Sequence, residues 1–323
     1  MKFNELFTAR QQGISNQRKK TNKTSIRHFG YNQAQFGNRY PEHSPDFCII
    51  ELDNNMMQKT IFITGASSGL GKATARLFQQ EGWNVIATMR NIANETELTE
   101  LENVTLLQLD VTDLKQIKET VEKATSLAKI DVVFNNAGYG LMGAFEKLSD
   151  EKILRQINTN LLGVLRVTQA FIPHFRAQKS GLFISTTSIG GFMGFPLHSL
   201  YHATKFALEG WSESMSFELK KFGISIKTVA PGGIATDFAG RSLDMNRNPD
   251  YENIENKVLE QMDLMMQNAS TAEQIAHVVY EAATDNKDQV RYLAGQDANA
   301  LYERRLTVGK EAFRQEIAKQ FEA

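Results

Sequence analysis

The chain has almost no cysteine: a single one, Cys48, in 323 residues. No intramolecular disulfide is possible, nor any cysteine-based metal cluster, and a reducing cytoplasmic setting is the default expectation. Neither sign of charge is in excess, 36 Lys and Arg standing against 37 Asp and Glu for a formal net charge of −1. A nucleic-acid partner would leave a basic patch or stripe, and this balance gives none. No run of about eighteen apolar residues occurs, so no membrane-spanning helix is expected. The first residues, Met1 to Arg10, lack the apolar core of a secretory signal. What is present is an ordinary globular composition, 41% hydrophobic and 23% charged, long enough for one large α/β domain or two small ones.

Residues 1–55 differ from the remainder. They are rich in Asn, Gln, Arg and Lys, carry eight basic residues against five acidic ones, and sustain neither a helical nor a strand period. Such a stretch buries too little apolar surface to offset its ordering entropy. It reads as a disordered tail, a basic targeting arm, or residues upstream of a start at Met56-Met57. In each case it is expected to be dispensable for chemistry, with a single domain at 56–323.

From Lys59 the pattern is regular. Thr60–Thr64 is a β-branched run read as a buried strand, followed by Gly65-Ala-Ser67-Ser68-Gly69-Leu70-Gly71 and a helical pattern from Lys72. Strand, glycine turn and helix make the context of a phosphate-binding loop: the glycines admit close backbone approach, and the helix N-terminus offers free N–H groups and a positive dipole end. A second strand, Asn84–Thr88, is followed by Met89 and Arg90. An acid at this place would bind the ribose 2′-hydroxyl of NAD, and an arginine the 2′-phosphate of NADP. Arg90 favours NADP(H) over NAD(H), the other reading being a solvated arginine at a strand end.

Further strands are expected at Val104–Leu109, ending in Asp110 and Val111; at Asp131–Phe134, ending in Asn135-Asn136-Ala137-Gly138; and at Gly181–Ser185, Ser225–Val229 and Val290–Leu293. Asp110 is placed to reach the adenine. Asp150–Phe175 reads as one long amphipathic helix containing Asn160, whose amide serves a core hydrogen bond or a catalytic water relay. Pro231-Gly232-Gly233-Ile234-Ala235-Thr236 turns the chain at a strand's carboxyl end. Residues 238–266, polar and rich in methionine, read as a weakly helical, mobile lid. Thr271–Ala283 is an amphipathic helix with a Ser/Thr cap. Strands alternating with helices imply a Rossmann-type doubly wound parallel sheet.

Tyr201 and Lys205 lie four apart, on one helix face, thirteen residues after Ser188 at a strand's end. A phenol, an ammonium and a hydroxyl meeting there make a proton-transfer site, the lysine drawing the phenol pKa down from about 10. An isolated Tyr-x-x-x-Lys also arises by chance, with a core tyrosine and a solvated lysine. His198 and His202 stand beside the motif and are assigned no role.

Together these motifs resemble the short-chain dehydrogenase/reductase family over about Lys59 to Leu293. The resemblance is carried by Thr64-Gly65-Ala-Ser-Ser-Gly69-Leu-Gly71, Asn135-Asn-Ala-Gly138, Asn160, Ser188, Tyr201-His-Ala-Thr-Lys205 and Pro231-Gly232. It implies a catalytic set of Asn160, Ser188, Tyr201 and Lys205, with Tyr201 as general acid/base, Ser188 holding the substrate oxygen, Lys205 holding the nicotinamide ribose, and Asn160 holding a water that links Lys205 to solvent. It implies a cofactor site built from Gly65, Ser67, Ser68, Gly69, Leu70, Gly71, Arg90, Asp110, Val111, Asn135, Asn136, Ala137, Gly138, Tyr201, Lys205, Pro231, Gly232, Ile234 and Thr236, without a metal. The expected activity is hydride transfer between NADP(H) and a small or medium hydrophobic carbonyl or secondary alcohol, by a homodimer or homotetramer. An apolar pocket is expected from Phe192, Met193, Phe195, Leu243, Met245, Leu264, Met265 and Met266. Two other readings are an NADP-sensing regulator without turnover, which would tend to lack the tyrosine, and a sugar-nucleotide epimerase or dehydratase, which would need a larger C-terminal part.

Overall fold

The computed structural model describes residues 58–235 and 243–321. The chain divides into two units, Met1–Asp53 and Asn54–Ala323, and the described residues all belong to the second. The expected extension at 1–55, Thr236 and residues 238–242 of the expected lid lie outside them.

In chain order the strands are β1 (Thr60–Thr64), β2 (Asn84–Met89), β3 (Val104–Gln108), β4 (Val132–Asn135), β5 (Gly140–Gly143), β6 (Gly181–Thr186), β7 (Ile224–Pro231), β8 (Ile234–Ala235), β9 (Leu243–Asn246), β10 (Ser270–Thr271) and β11 (Arg291–Ala294). Seven of them form one parallel sheet in the order β11-β7-β6-β4-β1-β2-β3. Every residue of β1 is buried, as a strand covered on both faces must be. The two-residue period then assigns the faces: Ile61 and Ile63 join one core with Phe78 and Trp83, and Phe62 joins the other with Phe171, Phe175 and Phe183. The first core lies under the helices Gly69–Gln80 and Ala272–Thr284, the second under Leu114–Leu127, Gly163–Gln178 and Ser199–Lys220. Phe62 meets Phe171 edge-on with ring centroids 4.8 Å apart.

Strand order reverses direction between β1 and β4, which places a crevice at the carboxyl ends of these two strands. The helices start where the local chemistry directs: Asp113 accepts from the backbone N–H groups of Lys115 and Gln116, and Thr271 with Gln274 forms a capping box.

Three elements differ from expectation. The long helix from Asp150 is interrupted: α-helix runs over Asp150–Ile157, a π turn over Asn158–Leu162, and α-helix resumes at Gly163–Gln178. Asn160 sits in that turn, and turns of this kind recur at functional sites. The segment expected to be weakly helical holds strand β9 and a fifteen-residue helix, Glu252–Met266. β9 pairs with β5, and Asp244 bonds Lys152 at 2.8 Å, so non-local partners supply the order that local propensity lacks. Beyond β11 the chain forms two more helices, Gln296–Val308 and Lys310–Phe321. Among the described residues no helix is long and apolar enough to cross a membrane.

Candidate active site

The glycine turn after β1 has no room for side chains where it bends. A Cβ on Gly71 would lie 2.2 Å from the Gly65 carbonyl oxygen, and Gly65 itself has a φ of 69°. Asn136 braces the turn, its Nδ2 donating to the carbonyls of Thr64 (3.2 Å) and Gly65 (3.1 Å). Thr64 Oγ1 in return accepts from the N–H groups of Asn136 and Ala137. The helix opens at Gly69 behind Ser68, whose side chain makes no capping bond, and its first turn holds no acid. The result is an anion cradle, free N–H donors at a positive helix end. Leu70 is buried in the core, so it contributes backbone alone.

Beside the cradle lies an open cleft of about 510 Å³ lined by Ser67, Met89, Arg90, Asn91, Asn94 and Glu95. Arg90 is exposed and has no hydrogen-bonding or ionic partner among the described residues. Glu95 is not a competing partner, because its carboxylate accepts from the N–H groups of Glu97 and Leu98 and pairs with Lys72 at 3.1 Å. Asp110 at the end of β3 turns its carboxylate onto Thr112, accepting from N–H (2.9 Å) and Oγ1 (2.7 Å). Val111 is buried under Gly163.

At the other side of the crevice Ser188 follows β6, and its Oγ accepts from the N–H of Gly190 at 3.0 Å. It also shares a hydrogen bond with the Tyr201 phenol. Lys205, one turn along the helix Ser199–Lys220, is buried, donates from Nζ to the Thr186 carbonyl at 2.8 Å, and lies 5.6 Å from the centre of the Tyr201 ring. Burial lowers the Lys205 pKa to about 8, with the nearby Glu209 carboxylate opposing the fall. Burial raises the Tyr201 pKa and the Ser188 hydrogen bond lowers it. The expected depression of the phenol by Lys205 is therefore not the balance found here, since the ammonium is turned to Thr186 and desolvation of the phenolate dominates.

Asn160 is 1% exposed, and both ends of its amide are engaged with the backbone of Tyr139: Oδ1 accepts from N–H at 3.0 Å and Nδ2 donates to O at 2.7 Å. The side chain makes the core hydrogen bond of its two readings. Asn135 likewise faces inward, donating to Thr168 Oγ1 at 3.0 Å. The structure thus brings Ser188, Tyr201 and Lys205 together, keeps Ala137 and Gly138 at the crevice as backbone, and makes Asn135, Asn136 and Asn160 braces behind it.

A family model for short chain dehydrogenases matches residues 59–247, from β1 through the Tyr201 helix to β9. This chain belongs to the short-chain dehydrogenase family. Among relatives of this dehydrogenase is an uncharacterised oxidoreductase of Schizosaccharomyces pombe, 40% identical over 208 residues that cover 64% of this chain and 88% of the relative. Among solved structures, a short-chain dehydrogenase from Streptomyces avermitilis is 29% identical with a TM-score of 0.72, covering 82% of this chain and 98% of that one. An alcohol dehydrogenase from the archaeon Thermococcus sibiricus, solved in complex with 5-hydroxy-NADP, is 26% identical with a TM-score of 0.61, covering 74% and 96%.

Two residues of this dehydrogenase that sequence reasoning passed over carry the site. His202 accepts from the N–H of Phe195 at Nε2 (3.0 Å), which leaves its proton on Nδ1 to bond the Gly190 carbonyl at 2.9 Å. It clips the loop between Ser188 and Tyr201 to the helix in neutral form, with burial first and His198 second holding its pKa down to about 4. Glu209, 4% exposed, sits on the same helix face as Tyr201 and Lys205 and is bonded by Arg291 Nε (3.1 Å) and Thr228 Oγ1 (3.2 Å). The i, i+4, i+8 spacing was the available signal for Glu209; nothing local marks His202. The expected apolar pocket is not gathered as one wall. Phe192 packs edge-on against Tyr302 of the helix Gln296–Val308, Met193 is 1% exposed, and Met245 and Leu264 face solvent.

Proposed function

We propose that this dehydrogenase transfers hydride between NADP(H) and the carbonyl or secondary alcohol carbon of a small hydrophobic substrate. The observation that carries the reading is the convergence of Ser188, Tyr201 and buried Lys205 at the carboxyl end of a parallel sheet whose first turn is an anion cradle. The residues present fit a dinucleotide. A pyrophosphate would lie over Gly65–Gly71 at the helix N-terminus, an adenosine 2′-phosphate would meet Arg90, and the nicotinamide ribose would meet Tyr201 and Lys205. The bound cofactor supplies the hydride.

Everything else falls to the protein. The raised pKa keeps the Tyr201 phenol protonated near neutral pH, ready to donate to a carbonyl oxygen as that oxygen gains electrons. Ser188, held by its own loop, positions that oxygen. Lys205, its Nζ on the Thr186 carbonyl, would hold the nicotinamide ribose hydroxyls beside that phenol. Asn160 fixes the backbone at Tyr139, next to Gly138. In oxidation the same groups run in reverse. The segment 243–266 is read as the lid: its Met265 reaches within 3.7 Å of where a Cβ on Gly233 would stand, bringing apolar surface to the reacting side. Dimers or tetramers in a cytoplasmic setting complete the reading.

The test is NADPH oxidation against ketones, aldehydes, quinones and β-ketoacyl thioesters, with NADH in parallel and Tyr201→Phe as control. The expected result is turnover with NADPH, reduced at least about 10²-fold in Tyr201→Phe while that variant still binds cofactor. Unchanged turnover in Tyr201→Phe removes the acid/base assignment. Tight NADPH binding with no turnover on any class makes the chain a sensor instead.

A further inference from the structure

The turn after β7 is held from below by a residue that lies beyond the span matched to the family. β11 ends at Ala294, Gly295 precedes the helix Gln296–Val308, and Asp297 in its first turn is 3% exposed. Its Oδ2 accepts from the backbone N–H of Gly233 at 2.6 Å. Its Oδ1 is buried with no hydrogen-bond partner. A Cβ on Gly232 would stand 2.1 Å from Oδ2, so the chain passes directly over the carboxylate with no side chain between. The neighbouring contacts complete the grip: Gly232 N–H donates to the Ala294 carbonyl at 3.1 Å, and Ser270 N–H donates to the Gly233 carbonyl at 3.2 Å.

This turn stands at the reacting end of the crevice. β7 lies on the opposite side of β1 from β2, whose end carries Arg90, and Thr187, next to Ser188, donates its N–H to Val229 of β7. Resting on the cofactor reading above, we propose that Asp297 is a positioning residue: its carboxylate sets the Pro231–Gly233 turn so that the turn's backbone presents its groups to the nicotinamide end of the cofactor. Without the carboxylate the Gly233 N–H loses its partner and the turn is free to shift, and the consequence would fall on the nicotinamide half alone. The adenosine half is gripped elsewhere, by the glycine cradle and Arg90.

The experiment compares wild type, Asp297→Ala and Asp297→Asn by calorimetric titration with NADPH and with 2′-phospho-ADP-ribose, which lacks the nicotinamide. In Asp297→Ala, NADPH binding is expected to weaken about tenfold or more while the fragment stays within about twofold. Asp297→Asn keeps an oxygen for the Gly233 N–H and is expected to restore NADPH binding most of the way. Unchanged NADPH affinity in Asp297→Ala overturns the proposal. So does an equal loss for both ligands, which would mark a general loosening of the fold, or an Asp297→Asn variant as weak as Asp297→Ala. Wild-type protein that binds neither ligand overturns the cofactor reading itself, a failure separate from the others.

Discussion

At the scale of single residues, Arg90 is the position whose freedom matters. A guanidinium that has no partner among the described residues, at the rim of a cleft beside an anion cradle, is disposed for a second anionic group. Arg90→Ala is expected to weaken NADPH binding about tenfold or more, a charge-assisted hydrogen bond's worth, and to leave NADH within about twofold. Paired fluorescence titrations check it; equal weakening of both cofactors would make Arg90 a structural residue. Asn160, by contrast, is bonded at both ends of its amide to Tyr139, and His202 to Gly190 and Phe195. The free cation and the committed amides look alike in a sequence, and only their partners separate them.

The element that gathers the chemistry is the helix Ser199–Lys220, which carries Tyr201, Lys205 and Glu209 on one face. The ammonium of Lys205 and the carboxylate of Glu209 stand one turn apart, both buried. Arg291 faces Glu209 from β11, also bonding Glu213, and Thr228 faces it from β7. Glu209 raises the Lys205 pKa against the pull of burial. Glu209→Gln removes that support, so Lys205 loses its proton at a lower pH and the alkaline limb of the reduction rate moves toward acid by about one unit. A kcat/KM profile against pH reads this directly. An unmoved limb would mean that Glu209 serves only to anchor β11.

At the scale of the whole molecule, the end of the helix Ala272–Thr284 is tied to the sheet by a buried ion pair. Lys227 on β7 donates to Asp285 Oδ1 (2.7 Å), the Ala282 carbonyl (2.9 Å) and Tyr292 OH (3.0 Å), with side-chain exposures of 4% for Lys227 and 8% for Asp285. Burial alone would raise the Asp285 pKa, but bonds from Lys227, Tyr292 and the Lys287 backbone hold it well below its ordinary 3.8. A carboxylate depressed in the folded state contributes stability that is complete above its unfolded pKa. That stability is lost as pH falls through about 4 and below. Asp285→Asn leaves a buried cation unpaired and is expected to cost about 3–5 kcal/mol at neutral pH. It should also flatten the acid side of the stability profile, measured by thermal melts from pH 7 to 3. A variant that melts with the wild type would show the pair to be neutral.

The sequence by itself determined the alternation of strand and helix, the glycine turn, and the meeting of Ser188 with Tyr201 and Lys205. Each of these rests on local period or short spacing: β-branched runs that must be buried, a strand–glycine–helix spacing, and a one-turn interval on a helix. The order of Leu243–Met266 was not legible, because it comes from β5 and from Lys152, about ninety residues earlier. Nor was the break at Asn158–Leu162, where the amide of Asn160 answers to Tyr139. Only the tertiary structure decided the protonation balance of the phenol, since desolvation depends on what covers Tyr201. The grip of Asp297 on Gly233 was likewise invisible until β11 was laid beside β7, for a carboxylate in the sequence gives no sign of the backbone N–H that will face it.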